Sequence, residues 1–257
     1  MKKFTLVLII FLLASNILYA NPKGFRKHTH VKEFYASIAE DTIEIAQKNN
    51  LPAAAILAIA GLESGYGSGY VAQITGNILS LGAFKSDAEL PALYLPYSKS
   101  KKMVLFDPKE IKKLPKDDLI YKKRAKSYKK DYRPAPYAGT TTHLELLKYN
   151  PKLRQKAHYA CLNDFATRWI STKSNIKAFR DAKVWLNKQM NDNDTKILDT
   201  MKVNKGFIER IGGVKNSFNY RKEWPIKVKL IMKKTALVKL VYDMKVKGMS
   251  FEEAWER

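Results

Sequence analysis

The most constraining feature of this chain is an uncharged segment that ends directly at a glutamate. Residues 52–62 (PAAAILAIAGL) are almost entirely apolar, and Pro52 suits the first turn of a helix. A helix that is apolar on every face has to be buried. Glu63 follows at once, and the glycine-rich residues 64–69 (SGYGSG) end the helix. The sequence therefore predicts a core helix with an acid at its C-terminal end.

The position of Glu63 suggests a chemical role. An acid that follows a buried helix is partly desolvated, and desolvation raises the pKa of a carboxyl group. A carboxylic acid that stays protonated near neutral pH can donate its proton to the leaving oxygen of a glycosidic bond. The alternative is that the helix simply ends and Glu63 points into water or caps a neighbouring helix.

Two stretches of sequence together carry a family resemblance. Residues 58–68 (AIAGLESGYGS), followed by 77–82 (NILSLG), resemble the core motif of glycoside hydrolase family 73. In that family an apolar helix ends in Glu-Ser-Gly-aromatic-Gly-Ser, and a segment such as Asn-Leu-Phe-Gly-Ile follows. The resemblance extends over residues 51–84. It departs from the family at 78–82, where this chain has an extra residue and lacks the usual phenylalanine.

The resemblance implies a lysozyme-like fold and an endo-β-N-acetylglucosaminidase that cleaves peptidoglycan without a cofactor. Glu63 would be the general acid, and Ser64 and Asn77 would lie near the sugar. Such enzymes also need a second carboxylate or help from the acetamido oxygen of the substrate. The acids downstream of the motif are Asp87, Glu89, Asp107 and Glu110. We favour Glu89, because it stands among small and apolar residues; an ordinary surface acid is the alternative for all four.

Tyrosines are the other candidate groups of the site. The family places a tyrosine opposite the acid, often in a Tyr-Ala pair, and both Tyr137 and Tyr159 precede an alanine. We favour Tyr159 as the catalytic partner because it falls in a predicted helix, and assign Tyr137 to substrate binding. Tyr66 either lines the cleft and stacks on a sugar ring or packs under the turn.

The N-terminus has the pattern of an export signal. Lys2 and Lys3 precede an apolar run that ends near Ala20, which is the pattern of a cleaved signal peptide; an uncleaved anchor is the alternative. We therefore expect residues 1–20 to be removed and the mature protein to be periplasmic or secreted. Cys161, the single cysteine, is then expected to be a buried free thiol.

The charge balance indicates the kind of partner. The chain has 47 Lys and Arg against 24 Asp and Glu, a formal net charge of +23, which favours anionic polymers. Residues 122–133 (KKRAKSYKKDYR) concentrate this charge between tyrosines. Behind an export signal, peptidoglycan strands, anionic envelope polymers or lipid head groups are the expected partners, and nucleic acid is not. A solvated helix face is the alternative for this stretch. The few histidines lack the companion ligands of a metal site, so no metal is expected.

The expected fold class is mainly α (α+β). It comprises a lysozyme-like helical catalytic domain over residues 21–172, with a small β or loop lobe, and a helical C-terminal extension over 173–257. Helices are predicted over 31–48, 52–62, 116–132, 151–170, 175–190, 194–203 and 223–247. A capping-box pattern at Ser250 opens a last short helix, and residues 74–84 and 103–106 are short strands or loops.

Two other functions remain compatible with the sequence. Lytic transglycosylases also use one glutamate after an apolar helix and release an anhydro-sugar, but their usual Gly-Leu-Met-Gln-like stretch is not found in this chain. A non-catalytic wall-binding protein that kept the scaffold is the second alternative. The unmatched, lysine-rich second half of the chain leaves room for that function.

Overall fold

The structure, a computed structural model, describes residues 24–125, 131–190 and 194–257; the predicted signal peptide lies outside these ranges. The α-helices are α1 (Thr29–Ala36), α2 (Ala39–Lys48), α3 (Ala53–Ser64), α4 (Tyr70–Thr75), α5 (Pro108–Lys113), α6 (Leu146–Tyr149), α7 (Pro151–Asp164), α8 (Lys177–Gln189), α9 (Met201–Ile211), α10 (Glu223–Lys234), α11 (Leu237–Lys247) and α12 (Phe251–Glu256). The strands are β1 (Tyr94–Ser98), β2 (Met103–Val104) and β3 (Leu119–Lys123). A π-helical turn follows α7 at Phe165–Trp169, and a 3-10 helix lies at Thr195–Asp199.

Helix α3 is the centre of the molecule, as its composition predicts. Residues 53–61 are all buried, and helices α2, α9, α10 and α11 pack around them. Gly65 ends the helix in the left-handed conformation (φ 56°), which glycine adopts without steric cost. The predicted buried helix is confirmed, and it carries Glu63 in its last turn.

The C-terminal helices share a core with the rest of the molecule. One hydrophobic cluster contains Ile59 of α3 together with Phe207, Val228 and Leu240 of α9, α10 and α11. The predicted boundary at residues 172 and 173 therefore coincides with no break in the core. Helices of the expected C-terminal extension thus pack on the central helix α3.

The strands form one small antiparallel sheet with the order β2-β1-β3. Tyr97 in the central strand is paired with Val104 on one side and with Ile120 on the other. A separate small apolar cluster (Tyr70, Ile74, Leu93 and Leu95) joins α4 to this sheet. The expectation of a mainly α protein with a small β element is confirmed.

The prediction of a helix over 116–132 is wrong. Leu119–Lys123 is a strand paired with β1, since Leu, Ile and Tyr at its start fit a pleated surface. Residues 126–130, at the centre of the basic stretch, lie outside the described part of the chain.

Two predicted long helices are each divided. The 31–48 segment breaks at Ser37 and Ile38, between α1 and α2. The 223–247 segment breaks at Ala236, which has a positive φ of 51° and so interrupts the helical hydrogen-bond ladder. The capping box at Ser250 is confirmed, with both reciprocal bonds to Glu253 present.

Other predicted boundaries shift by a few residues. The segment 74–84 begins as the end of α4 and continues as a loop, and the 194–203 segment divides into the 3-10 helix and the start of α9. Across the residues that the structure describes, no helix has both the length and the apolar character needed to cross a membrane.

Candidate active site

A cavity of about 840 Å³ opens where the C-terminal end of α3 meets the sheet. Its helical wall comes from the end of α3, from α4 and from the loop that follows α4, and its other wall comes from the strands. The described residues that line it are Glu63, Ser64, Gly65, Gly69, Tyr70, Val71, Ala72, Thr75, Asn77, Ser80, Leu81, Gly82, Leu93, Leu95, Tyr97, Val104, Phe106, Lys122, Lys123, Arg124, Ala125, Asp131 and Tyr132. The described lining is thus largely apolar, with a small number of charged groups.

Glu63 is half-buried at the helical wall of this cavity. Its carboxylate oxygen Oε1 accepts a hydrogen bond of 2.7 Å from the indole Nε1 of Trp224. Trp224 lies at the start of α10, only 3% exposed, and 161 positions further along the chain. The C-terminal helices therefore supply a direct partner of the predicted acid, which no local sequence pattern indicates.

The surroundings of Glu63 favour its protonated form. Burial raises the pKa of Glu63 above its ordinary value, and hydrogen bonds from Trp224 and Ser80 together with the charge of Arg221 only partly offset that effect. The carboxyl group therefore keeps its proton to higher pH than an exposed glutamate does. A shift in this direction is the one that a general acid requires.

The turn after α3 is held by Ser64. Its hydroxyl donates to the carbonyl of Ala60 (2.6 Å) and accepts from the backbone N–H of Gly67 (2.8 Å). Ser64 lines the cavity, but one of these bonds is to α3 itself and the other is to the turn that follows it. Its role on this geometry is to fix the backbone beside Glu63.

Asn77 also lines the cavity, and its amide organises the following loop. The side chain accepts from Leu81 N (2.9 Å) and donates to Leu81 O (2.8 Å). The thiol of Cys161 also contacts this side chain, with its Sγ 3.6 Å from Asn77 Oδ1. Cys161 is fully buried, as predicted, and burial raises the pKa of its thiol to about 12. Asn77 thus shapes the cavity wall with most of its hydrogen-bonding capacity already used.

The structure does not bring the favoured second acid to the cavity. Glu89 is exposed and is not among the described residues that line it. The other three candidates are engaged elsewhere: Asp87 pairs with Arg168, Asp107 caps α5 through Lys109 N, and Glu110 pairs with Lys101. Their surroundings are those of ordinary surface acids.

The described acid that shares the cavity with Glu63 is Asp131. It forms an ion pair with Arg124, which also lines the cavity. Asp131 is not among the acids expected from the sequence, since it stands within a lysine-rich stretch. The signal that could have found it is that Asp131 is the one acid in residues 122–133.

The described tyrosines that line the cavity are Tyr70, Tyr97 and Tyr132, and neither of the two expected ones is among them. Tyr159 is half-buried against the main core, and Tyr137 is 66% exposed; neither is among the described lining residues. Tyr132 lines the cavity and donates its hydroxyl proton to Asp164 Oδ2 across 3.0 Å. Burial and the neighbouring negative charge raise the pKa of Tyr132 far above its ordinary value, so it remains neutral.

Tyr66 packs under the turn. Its ring makes edge-on contacts with Phe34 and Tyr35, with centroid distances of 6.3 Å and 6.0 Å. Its backbone has a positive φ of 55°, and its N–H donates to Gly61 O. Of the two alternatives left by the sequence, this geometry matches the second.

Part of the basic stretch forms the rim of the cavity. Lys122 and Lys123, at the end of β3, and Arg124 all line it, and the Lys122 ammonium lies 3.4 Å from the ring centre of Tyr97. These residues give one side of the cavity a positive potential. No group of three His, Cys, Asp or Glu side chains within the described ranges is arranged to hold a metal ion.

Comparison of the chain with protein-family models finds no match, and comparisons with curated proteins and with solved structures find none either.

Proposed function

We propose that this protein is a peptidoglycan hydrolase with a lysozyme-like fold, an endo-β-N-acetylglucosaminidase that cleaves the β-1,4 bond after N-acetylglucosamine. The observation that carries the proposal is the state of Glu63: a half-buried carboxyl, with its pKa raised by burial, at the wall of a large cavity. A buried acid beside an open groove is the arrangement that general-acid cleavage of a glycoside requires.

The architecture around the cavity supports the fold part of the proposal. A central buried helix ends at the acid, other helices surround it, and a small antiparallel sheet forms the facing wall. A groove between a helical body and a small sheet gives an extended polymer two surfaces to bind. The lining also includes apolar side chains and the ring of Tyr132, which suit the faces of sugar rings.

The chemistry follows from the two oxygens of Glu63. Oε1 accepts the indole N–H of Trp224, so the acid proton is carried by Oε2. That proton passes to the leaving oxygen as positive charge develops at the anomeric carbon. In one route the acetamido oxygen of the substrate attacks the anomeric carbon, and the ionised Glu63 then takes a proton from the water that opens the resulting ring. In the other, water attacks directly from the opposite face and a second carboxylate takes its proton.

Asp131 replaces Glu89 as our candidate for the second acid. It lies in the same cavity as Glu63, and its ion pair with Arg124 favours the ionised form. A carboxylate of this kind stabilises a positively charged sugar or orients the attacking group. Tyr132 replaces Tyr159 and Tyr137 as the candidate tyrosine.

The proposed location and partners fit this activity. Cleavage after residue 20 removes Lys2 and Lys3 and lowers the formal net charge from +23 to +21. The exported protein is therefore still attracted to the anionic polymers of the cell wall and to anionic lipid head groups. We propose that the mature protein acts in the periplasm or outside the cell, on peptidoglycan strands.

The test is digestion of purified sacculi, followed by mass analysis of the released fragments. We expect the wild-type chain to release fragments with N-acetylglucosamine at the reducing end. Glu63→Gln keeps an acceptor for Trp224 but removes the proton donor, so its rate should fall by at least about 100-fold. Glu89→Gln, with the same change of charge at an exposed acid, is the matched control and should retain wild-type activity.

The alternatives give different results in the same assay. Anhydro-sugar ends would indicate a lytic transglycosylase. If the wild-type chain sediments with sacculi but releases nothing, a non-catalytic wall-binding role is correct. Equal lysis by the wild-type chain and Glu63→Gln would remove Glu63 from the mechanism.

A further inference from the structure

We propose that Trp224 is a positioning residue for Glu63, through which the C-terminal helices complete the active site. Its indole N–H holds Oε1 and so leaves the proton of the acid on Oε2. This inference rests on the proposed function of Glu63 as the general acid. It adds a second residue, and a second region of the chain, to that function.

The hydrogen bond between Trp224 and Glu63 can run in one direction only, from the indole to the carboxyl oxygen. An indole N–H can donate a hydrogen bond and cannot accept one, so the oxygen that it approaches must act as the acceptor. At 2.7 Å the bond is short for an N–H···O pair. Oε1 is thereby engaged whether the carboxyl is protonated or ionised, and only Oε2 exchanges a proton with substrate.

The indole is held from several sides. Gly212 lies so close that a Cβ atom there would be 2.2 Å from Cε3 of Trp224. The ring of Phe218 lies 5.3 Å away, centre to centre, and α10 packs directly on α3. A ring fixed in this way sets the orientation of the carboxyl that it binds.

Trp224 supports the site without forming its surface. It is buried and is not among the described residues that line the cavity, so contact with the substrate does not explain its position. The cation that acts on Glu63 from nearby is Arg221. The other ionisable groups of the cavity wall are Tyr70, Tyr97, Lys122, Lys123, Arg124, Asp131 and Tyr132.

The first measurement needs no activity. In full-length protein labelled with ¹⁵N-tryptophan, the chain gives four indole N–H resonances, one for each tryptophan. We expect one of them to shift with pH as Glu63 titrates, and to lose that shift in Glu63→Gln, because the amide retains an acceptor but has no charge to change. If no indole resonance loses a pH-dependent shift in Glu63→Gln, the contact does not operate in solution and the inference is overturned.

The second measurement uses a matched pair of variants in the sacculus assay. Trp224→Phe removes the N–H that binds Glu63. Trp169→Phe is the control, because it removes an indole N–H that is also buried but has no hydrogen-bond partner among the described residues. We expect kcat to fall about 10-fold in Trp224→Phe, the effect of one hydrogen bond to a charged group, with KM unchanged. The alkaline limb of its pH profile should move to higher pH, because the donor that favoured the ionised form is gone.

The outcomes separate this inference from the function on which it rests. Equal kcat and identical pH profiles in the two variants would overturn the role of Trp224 and leave Glu63 as the acid. A wild-type chain that releases nothing from sacculi would overturn both proposals, even if an indole resonance follows Glu63. A general loss of stability would lower activity in both variants without moving the pH profile of either, and that result also overturns the inference.

Discussion

Gly212 makes room for Trp224. A Cβ atom at Gly212 would lie 2.2 Å from Cε3 and 2.3 Å from Cζ3 of the indole ring, well inside van der Waals contact. The backbone of Gly212 is extended, with φ −146°, so the position requires space and not a special conformation. Because the same indole binds Glu63, this close packing is linked to the candidate acid through a single side chain.

Gly212→Ala should therefore affect both stability and the site. The added methyl group displaces the indole or the start of α10, and overpacking of this kind costs about 1–3 kcal/mol of unfolding free energy. Urea denaturation measures that loss. The variant should also lower activity on sacculi, because the indole can no longer hold Oε1 at its position.

Gly82→Ala is the matched control for this change. Gly82 also lies at the cavity, but the nearest atom to an added Cβ there is 4.0 Å away, on Trp169. We expect its unfolding free energy to stay within about 0.5 kcal/mol of wild type. Equal stability of the two alanine variants would contradict the packing described for Gly212.

The raised pKa of Glu63 has a consequence for stability. As pH rises above the ordinary glutamate pKa of 4.5, the unfolded chain loses this proton while the folded chain still holds it. Wild-type stability therefore declines through this window, until the folded-state pKa is passed. Glu63→Gln has no such proton, so its stability relative to wild type should increase as pH rises above 4.5 and level off once the folded-state pKa of Glu63 is passed. Urea denaturation at a series of pH values measures this difference.

Glu253 provides a comparison, because its pKa is shifted in the direction opposite to that of Glu63. Hydrogen bonds from the backbone N–H and hydroxyl of Ser250 hold the pKa of Glu253 below its ordinary value. The stabilisation that these hydrogen bonds give the folded protein is present above the ordinary pKa of glutamate, and it is lost as pH falls through the folded-state pKa of Glu253. The stability deficit of Glu253→Gln should thus shrink toward low pH. A Glu63→Gln difference that is flat with pH would show that Glu63 is not desolvated.

The positive rim of the cavity should act on charged ligands. Lys122→Gln combined with Lys123→Gln removes two exposed cations beside Arg124. We expect affinity for an acidic peptidoglycan fragment to fall about 3- to 10-fold at low salt, with the difference disappearing at about 0.5 M salt. Isothermal titration calorimetry at the two salt concentrations measures the change.

Removing two lysines away from the cavity tests whether the position of the removed charges determines the affinity. Lys173 and Lys188 are exposed and lie away from the described cavity lining, so the double glutamine variant at these positions should bind like wild type. A neutral chito-oligosaccharide should bind all three proteins equally. Equal losses in both double variants would mean that net charge, and not the cavity rim, determines the affinity.

The features that the sequence predicted well are those with a local cause. Helix α3 follows from a run of apolar residues that only burial can explain, and the last helix follows from the capping residues Ser250 and Glu253. The basic stretch misled the prediction, because lysines are good helix formers. At Leu119–Lys123, pairing with β1 outweighs that preference.

The rest of the site depends on contacts between distant parts of the chain. Trp224 has no neighbour in sequence that marks it as a partner of Glu63, and Asp131 is placed by an ion pair with Arg124 that no periodicity reveals. Glu89 looked suitable because its neighbours are small and apolar, yet the chain leaves it exposed. Local composition therefore predicted which acid is desolvated but not which groups surround it.

The shared core has a consequence for synthesis. Glu63 leaves the ribosome 161 residues before Trp224, and α3 must wait for α9, α10 and α11 to cover it. A nascent chain that ends before α9 would therefore expose the faces of α3 that these helices cover and would leave Glu63 without its indole partner. Under the proposed function, cleavage would begin only after α10 has been synthesised and has packed on α3.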